Sequence, residues 1–369
     1  MGTSYLVFGL YRDLVYPGRV PNVVPERFLK EFRDRNAACF GCPIHCSHEF
    51  SVKSGPYKGT KGEGMEANTY IFATLMSDTD DMAYLCKYDV LHDQLGMHVD
   101  HFGTAYNWAM ELYRDGLITK EDTGGIEITP GNQEAQLKLI EMMAKREGFG
   151  KVLDDFPLQA FVDRIPGAEV YIGHNKRAIP YFDRKGIIGS AIWTLAISIA
   201  PRGQDHLYGA RDISMLLWPK EEVEKAGKEQ YGDPEAFTRL WGYSPDKGHQ
   251  VYDCENVFAL PDQTGICKFA SELVSGKEGV HAEDFAKLLS ALTGVDFTTE
   301  DVLASGQREM LIARAFNARE GIRRIDDYPY AYRWLLEHKE RHPKINYGSI
   351  CISLHKHIKP LVVIHLWAH

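Results

Sequence analysis

No apolar run in the 369 residues is long enough to cross a bilayer, which takes ~20 residues in a helix. The longest, 187–201, is interrupted by Ser190, Thr194 and Ser198 and reads as a buried helix. Runs of basic residues are absent too. Lys plus Arg number 42 against 51 for Asp plus Glu, a net charge of −9, which argues against nucleic acid or an anionic membrane as partner. The first residues lack the basic and apolar regions of a signal peptide, so the expected location is the cytoplasm. Clear period-2 strands are scarce. With 44% hydrophobic and 25% charged residues the chain is neither disordered nor fibrous, and its length favours two domains.

What is there is helical periodicity. Pro25 opens an amphipathic helix with Phe28, Leu29 and Phe32 on one side, running towards the cysteines. Tyr84, Tyr88, Leu91 and Leu95 mark a second helix, which starts after Asp80-Asp81 and ends at Gly96. Ala135, Leu139, Ile140 and Met143 mark a third, stopped by Gly148, and Phe285, Leu288, Leu289 and Leu292 line one before Gly294. Thr298 and Asp301 form a capping box for the next. Prolines and glycines between Asp154 and Pro180 break the periodicity and place a domain boundary there. No fixed-period repeat is present, and the apolar, His-rich last twenty residues are unlike the rest.

Seven cysteines in a reducing compartment do not suggest a disulfide framework, and three of them fall within eight residues. Cys39-x-x-Cys42-x-x-x-Cys46, with Pro43 after the second, is spaced to bring three thiolates to one small inorganic centre. An iron–sulfur cubane with a distant fourth cysteine is the first reading; zinc, with His45 or His48 as a nitrogen ligand, is the second. The fourth-ligand candidates are Cys86, Cys254, Cys267 and Cys351. Cys86 fits a helix core, and Cys267 closes Asp262-Gln-Thr-Gly265-Ile266-Cys267, which is related to Asp93-Gln-Leu-Gly96-Met97-His98. Alone, each such loop is a helix C-terminus; paired, they form compact turns whose carboxylates accept hydrogen bonds from a nitrogen-rich ring.

These residues carry a family resemblance. The cysteine run, the two DxxGL(C/D)-like loops and Arg202-Gly203-x-x-His206-Leu207 resemble the tungsten-dependent aldehyde:ferredoxin oxidoreductases. So do the segment from Ala178 to Arg184 and Phe316-Asn317-x-Arg319-Glu320-Gly321 with Arg324, Asp326 and Asp327. The resemblance implies a mostly α chain, two multihelical domains resembling domains 2 and 3 of that family. Residues 1–36 form a leader with the amphipathic helix, 37–175 and 176–348 the two domains, and 349–369 an atypical tail.

It further implies a [4Fe-4S] cluster on Cys39, Cys42, Cys46 and Cys267, beside a tungsten bis-pterin of the molybdopterin type. Asp93, Gly96 and Met97, and Asp262, Gly265 and Ile266, become the pterin loops. Glu66 becomes the active-site carboxylate and His206 the active-site histidine; from the residues alone Glu66 is a carboxylate near a helix start, with Glu63 as a rival, and His206 a core histidine. His45, His48, His98 and His101 take supporting roles at most.

The implied activity is oxidation of aldehydes to carboxylic acids, a carboxylate deprotonating water and a donor stabilising the carbonyl oxygen, with ferredoxin as electron acceptor. The family's N-terminal domain has no counterpart here, so the expectation includes a truncated or frame-shifted reading frame, or a partner chain that supplies that domain; a homodimer is a further expectation. The first loop departs from the family pattern at Met97-His98. Alternatives are a cluster-bearing electron-transfer fragment without pterin, a related tungsten enzyme acting on an aromatic acyl-thioester, and a zinc-stabilised helical module. The acyl-thioester reading is weakened because no Cys lies near Glu66.

Overall fold

The computed structural model describes residues 22–64, 67–75, 77–154, 164–165, 168, 191–203, 205–209, 219–239, 246–272 and 278–327. Glu66, the segment 178–184, the leader before residue 22, Cys351 and the tail lie outside the described residues. The chain divides into two compact units, one comprising Met1–Ile172 with Ile179–Tyr181, the other Gly173–Ala178 with Phe182–His369.

The first unit opens with a short helix, Pro25–Arg27, and a π-helical turn, Phe28–Phe32. Phe28 and Phe32 are buried as the periodicity requires, whereas Leu29 is exposed, and the segment enters a strand instead of running directly into the cysteines. Three short strands form an antiparallel sheet in sequence order: β1 (Arg33–Ala37), β2 (Ser47–Ser51) and β3 (Lys61–Gly64). The registers pair Ala37 with Ser47 and His48 with Gly64. No apolar alternation announces this sheet, because Arg-Asp-Arg-Asn-Ala and Lys-Gly-Glu-Gly have one wet face and few β-formers.

Helices α1 (Met82–Leu95) and α2 (Val99–Arg114) carry the core of this unit. The Asp81 carboxylate caps α1 by accepting from the amides of Ala83 and Tyr84, and Gly96 ends it in the left-handed conformation, φ 63°. Helix α3 (Gln133–Lys145) is terminated by Arg146, also left-handed, and not by Gly148, which starts α4 (Gly148–Asp154).

Tyr84, Tyr88 and His92 pack as tilted rings at four-residue spacing along α1, with the Tyr88 and His92 ring centroids 4.3 Å apart, and Phe102 meets the Tyr88 and His92 rings. Burial pushes the His92 imidazole down from 6.5 to about 4. The folded chain therefore keeps His92 neutral where the unfolded chain binds a proton, so stability is full above about pH 6.5 and falls as pH drops towards 4. The expected loss at pH 5 relative to pH 7 is about 2 kcal/mol. Urea melts at both pH values should show a loss smaller by about that amount in His92→Gln than in the native sequence; equal slopes would contradict it.

The second unit contains α5 (Ala191–Ile199), α6 (Lys220–Tyr231), α7 (Asp246–Thr264), α8 (Ala282–Thr293) and α9 (Thr299–Arg319). Thr298 and Asp301 make both reciprocal bonds of the capping box. On α8 only part of the expected face is buried: Phe285 is, while Leu288 and Leu292 are 53% and 83% exposed. The long helices α7 and α9 pack so closely that a Cβ on Gly306 would run into the Asn256 carbonyl. Backbone cannot yield as a flexible side chain does, so Gly306→Ala should destabilise by about 1–3 kcal/mol in chemical melts, and an unchanged midpoint would refute the close approach.

Candidate cofactor and metal site

In the first unit the hairpin between β1 and β2 displays the cysteine run. Its ends are fixed by the Ala37–Ser47 pair, and the chain folds back through Gly41 (φ 70°) and His45 (φ 53°), with the Cys42 amide donating to the Cys39 carbonyl at 3.1 Å. Cys39 and Cys46 are exposed, Cys42 is half-buried, and none of the three is in a disulfide. Ser47 Oγ donates to Glu63 on β3, so the strand after Cys46 is tied to the rival carboxylate. Asp93 lies at the end of α1, and burial followed by the charge of Glu63 holds its carboxyl above the usual range. The hairpin base, Glu63 and the first loop thus share a neighbourhood.

The histidines of this unit have local work. His98 Nδ1 accepts from the Asp100 amide at 3.2 Å, capping α2. His48 packs edge-on over Phe28, and burial, then the charge of Arg33, lowers its pKa. Burial also lowers that of His101.

The two DxxG loops have one construction. Each is a helix C-terminus closed by a glycine at positive φ, 63° at Gly96 and 78° at Gly265, which a Cβ would strain. The Gly96 amide reaches the Asp93 carbonyl, and the Gly265 amide the Pro261 carbonyl. The next residue, Met97 or Ile266, packs partly buried against its own unit's core. The residue after that caps a new helical segment: His98 at the head of α2, Cys267 at the head of the 3-10 turn Lys268–Ala270. Asp93 and Asp262 are both exposed.

In the second unit Cys267 is exposed, whereas Cys254 is buried beside Phe258 and Cys86, in the first unit, is fully buried. His206 begins a 3-10 turn, His206–Tyr208, whose cap Asp205 is 3% exposed, accepts from the Leu207 amide at 2.8 Å and pairs with Arg202. Asn317 Nδ2 donates to the Pro201 carbonyl at 2.6 Å, anchoring the start of the same turn to α9. The centre of this neighbourhood is Lys268, which sequence reasoning missed. Its Nζ donates to Asp262 Oδ2 at 2.7 Å and to the Leu207 carbonyl at 2.9 Å, joining the second loop to the His206 turn.

Among the described residues no three His, Cys, Asp or Glu side chains converge as around a single metal ion. A cubane sets a different requirement, since each thiolate meets its own iron instead of sharing one. Four exposed or half-exposed thiols on turns, three in the first unit and one in the second, match that donor chemistry. The paired carboxylate turns match a nitrogen-rich ring.

The family model for aldehyde ferredoxin oxidoreductase, domains 2 and 3, matches residues 14–357. The chain belongs to this family. A tungsten-containing aldehyde ferredoxin oxidoreductase of Pyrococcus abyssi (strain GE5 / Orsay) is 31% identical over 301 residues, 80% of this chain and 45% of that protein. Its counterpart in Pyrococcus furiosus is 29% identical over 349 residues, 91% of this chain and 52% of that protein. The chain spans about half the length of these curated relatives. The WOR-like subunit of an aliphatic sulfonate oxidoreductase from P. furiosus is 28% identical over 271 residues, 72% of this chain and 36% of that protein. Among solved structures, the active site complex BamBC of benzoyl coenzyme A reductase, in complex with 1,5-dienoyl-CoA, superimposes with a TM-score of 0.68. That match has 20% identity and covers 90% of this chain and 51% of that one, and it shows the shared fold. The mostly helical architecture of domains 2 and 3 expected from the motifs is therefore the observed one, and the chain is a member of an oxidoreductase family. No helix of the described residues is long and apolar enough to cross a membrane.

Proposed function

We propose that this aldehyde ferredoxin oxidoreductase family member carries half or more of the site of a tungstopterin and [4Fe-4S] oxidoreductase that converts aldehydes to carboxylic acids. Cys39, Cys42, Cys46 and Cys267 hold the cluster, and the loops Asp93–Gly96–Met97 and Asp262–Gly265–Ile266 hold the two pterins. The observation that carries this reading is the common construction of the two loops, with Cys267 standing where the first loop has a helix-capping residue. When bound, the tungsten bis-pterin supplies a two-electron centre and the cluster a one-electron outlet.

The chain's own residues take the remaining work. Aldehyde and water become carboxylic acid with release of two electrons and two protons, so a base must take a proton from water and a donor must stabilise the carbonyl oxygen. Glu66 is the base in this proposal and His206 the donor, its turn stiffened by the Arg202–Asp205 pair and by Asn317. Ferredoxin or a similar carrier takes the electrons, and a partner chain completes the cofactor pocket. The aldehyde-dependent reduction of an oxidised viologen, seen as developing colour, by anaerobic protein tests the activity: turnover supports the proposal, and a tungsten-loaded chain that shows none with any aldehyde rejects it.

A further inference from the structure

We infer that Lys268 is a positioning residue that fixes Cys267, the Asp262 loop and the His206 turn as one piece, and that its charge, paired with that of Asp262, sets the redox poise of the cluster. The inference rests on the cluster assignment proposed above. Lys268 follows Cys267 directly, yet its side chain does not extend into solvent as surface lysines do. It is 15% exposed, and its Nζ is held by Asp262 Oδ2 at 2.7 Å and by the Leu207 carbonyl at 2.9 Å. The same nitrogen lies 5.3 Å from the centroid of the Tyr208 ring and 5.6 Å from that of Phe258. Two oxygens and two aromatic rings therefore surround one ammonium, a setting that suits a cation and offers little to a neutral group.

Each of these contacts reaches a different part of the site. Asp262 opens the second loop, Leu207 and Tyr208 follow His206, and Phe258 lies on α7 beside buried Cys254. Without the ammonium, the loop, the turn and the cysteine-bearing segment lose their common tie. The electrostatic consequence has a definite sign. A cation near a cluster favours the reduced, more negative state, so removing it lowers the reduction potential; removing the Asp262 charge raises it. A tie that acted by shape alone would give no such opposition of sign.

The test uses the full chain with its cluster rebuilt anaerobically, read by EPR-monitored redox titration. Lys268→Met should lower the potential by about a tenfold change in the reduced-to-oxidised ratio at fixed poise, ~59 mV for one electron. Lys268→Arg should stay near the native value, and Asp262→Asn should shift upward. A native potential in a cluster-loaded Lys268→Met overturns the inference. Where Lys268→Met takes up no iron, Asp262→Asn decides: an upward shift supports the inference and an unchanged potential rejects it. A native chain that takes up no cluster would instead reject the cluster assignment itself.

Discussion

Cys267→Ala is expected to remove the [4Fe-4S] signal, while Cys86→Ala and Cys254→Ala leave it intact. Three of the four proposed ligands come from one hairpin, so the fourth decides whether a cubane is held at all corners or loses an iron. Cys86 and Cys254 cannot serve without dismantling packing, for both are buried in helices, and burial raises the Cys86 thiol pKa far above the usual thiol range. Cys267 is exposed at the head of a short turn, where a sulfur can be shared with a metal centre. Because a cluster binds the folded chain and not the unfolded one, the loaded chain should also melt higher than the iron-free chain. Cys267→Ala should gain less in melting temperature from iron than the native chain does. Iron content, EPR and melting curves on the three variants check this; a cluster that survives Cys267→Ala moves the fourth ligand elsewhere.

Arg314→Met is expected to cost about 3–5 kcal/mol of stability. Arg314 on α9 pairs with Glu255 on α7, whose side chain is 3% exposed, and breaking the pair takes the guanidinium from a buried carboxylate in the contact between the two longest of the described helices. The desolvation of Glu255 is already incurred on folding, and the guanidinium helps to offset it. Replacing both partners, Glu255→Leu with Arg314→Met, should recover most of the loss, since no charge is then left alone. Urea melts of the single and double variants test this: a single variant within about 1 kcal/mol of the native chain would show that the pair is solvated after all. Arg314 stands three residues before Asn317 on the same helix, so the loss should also loosen the anchor on the Pro201 carbonyl that holds the His206 turn.

Much of this architecture could be read in the sequence where local chemistry and tertiary packing agree. Asp81 and Gly96 delimit α1, and Thr298 with Asp301 opens α9, because caps are written within four residues of the ends they serve. Periodicity is a weaker guide where a helix is covered along only part of its apolar face. Leu288 and Leu292 have the spacing of a buried face, yet α8 packs through Phe285 and Ala286 and leaves them in water. The three-stranded sheet was invisible because its strands are short, charged and half-wet, and it exists to hold the cysteine hairpin. Gly148 follows the helical run as a stop would, but Arg146 adopts the left-handed cap of α3 instead.

The site was legible as types of residue at fixed spacings, and illegible as long-range ties. The cysteine run and the two DxxG loops can be found by eye, and the structure shows that both loops have one backbone construction. Lys268 offers no such signal: its second partner, Leu207, lies 61 residues earlier, and a lysine after a cysteine looks like any surface lysine. Glu255 and Arg314 are 59 residues apart and equally silent. Asn317 belonged to a recognisable motif, but its physical role, a hydrogen bond 116 residues back to the Pro201 carbonyl, needed the fold.

Metal content decides whether this chain holds a tungstopterin beside a cubane, as proposed. Protein purified without oxygen, together with any chain that copurifies, should contain about four irons and one tungsten per chain, with an EPR signal of a reduced [4Fe-4S] cluster. Zinc in place of both iron and tungsten would mean that the chain holds neither cubane nor tungstopterin.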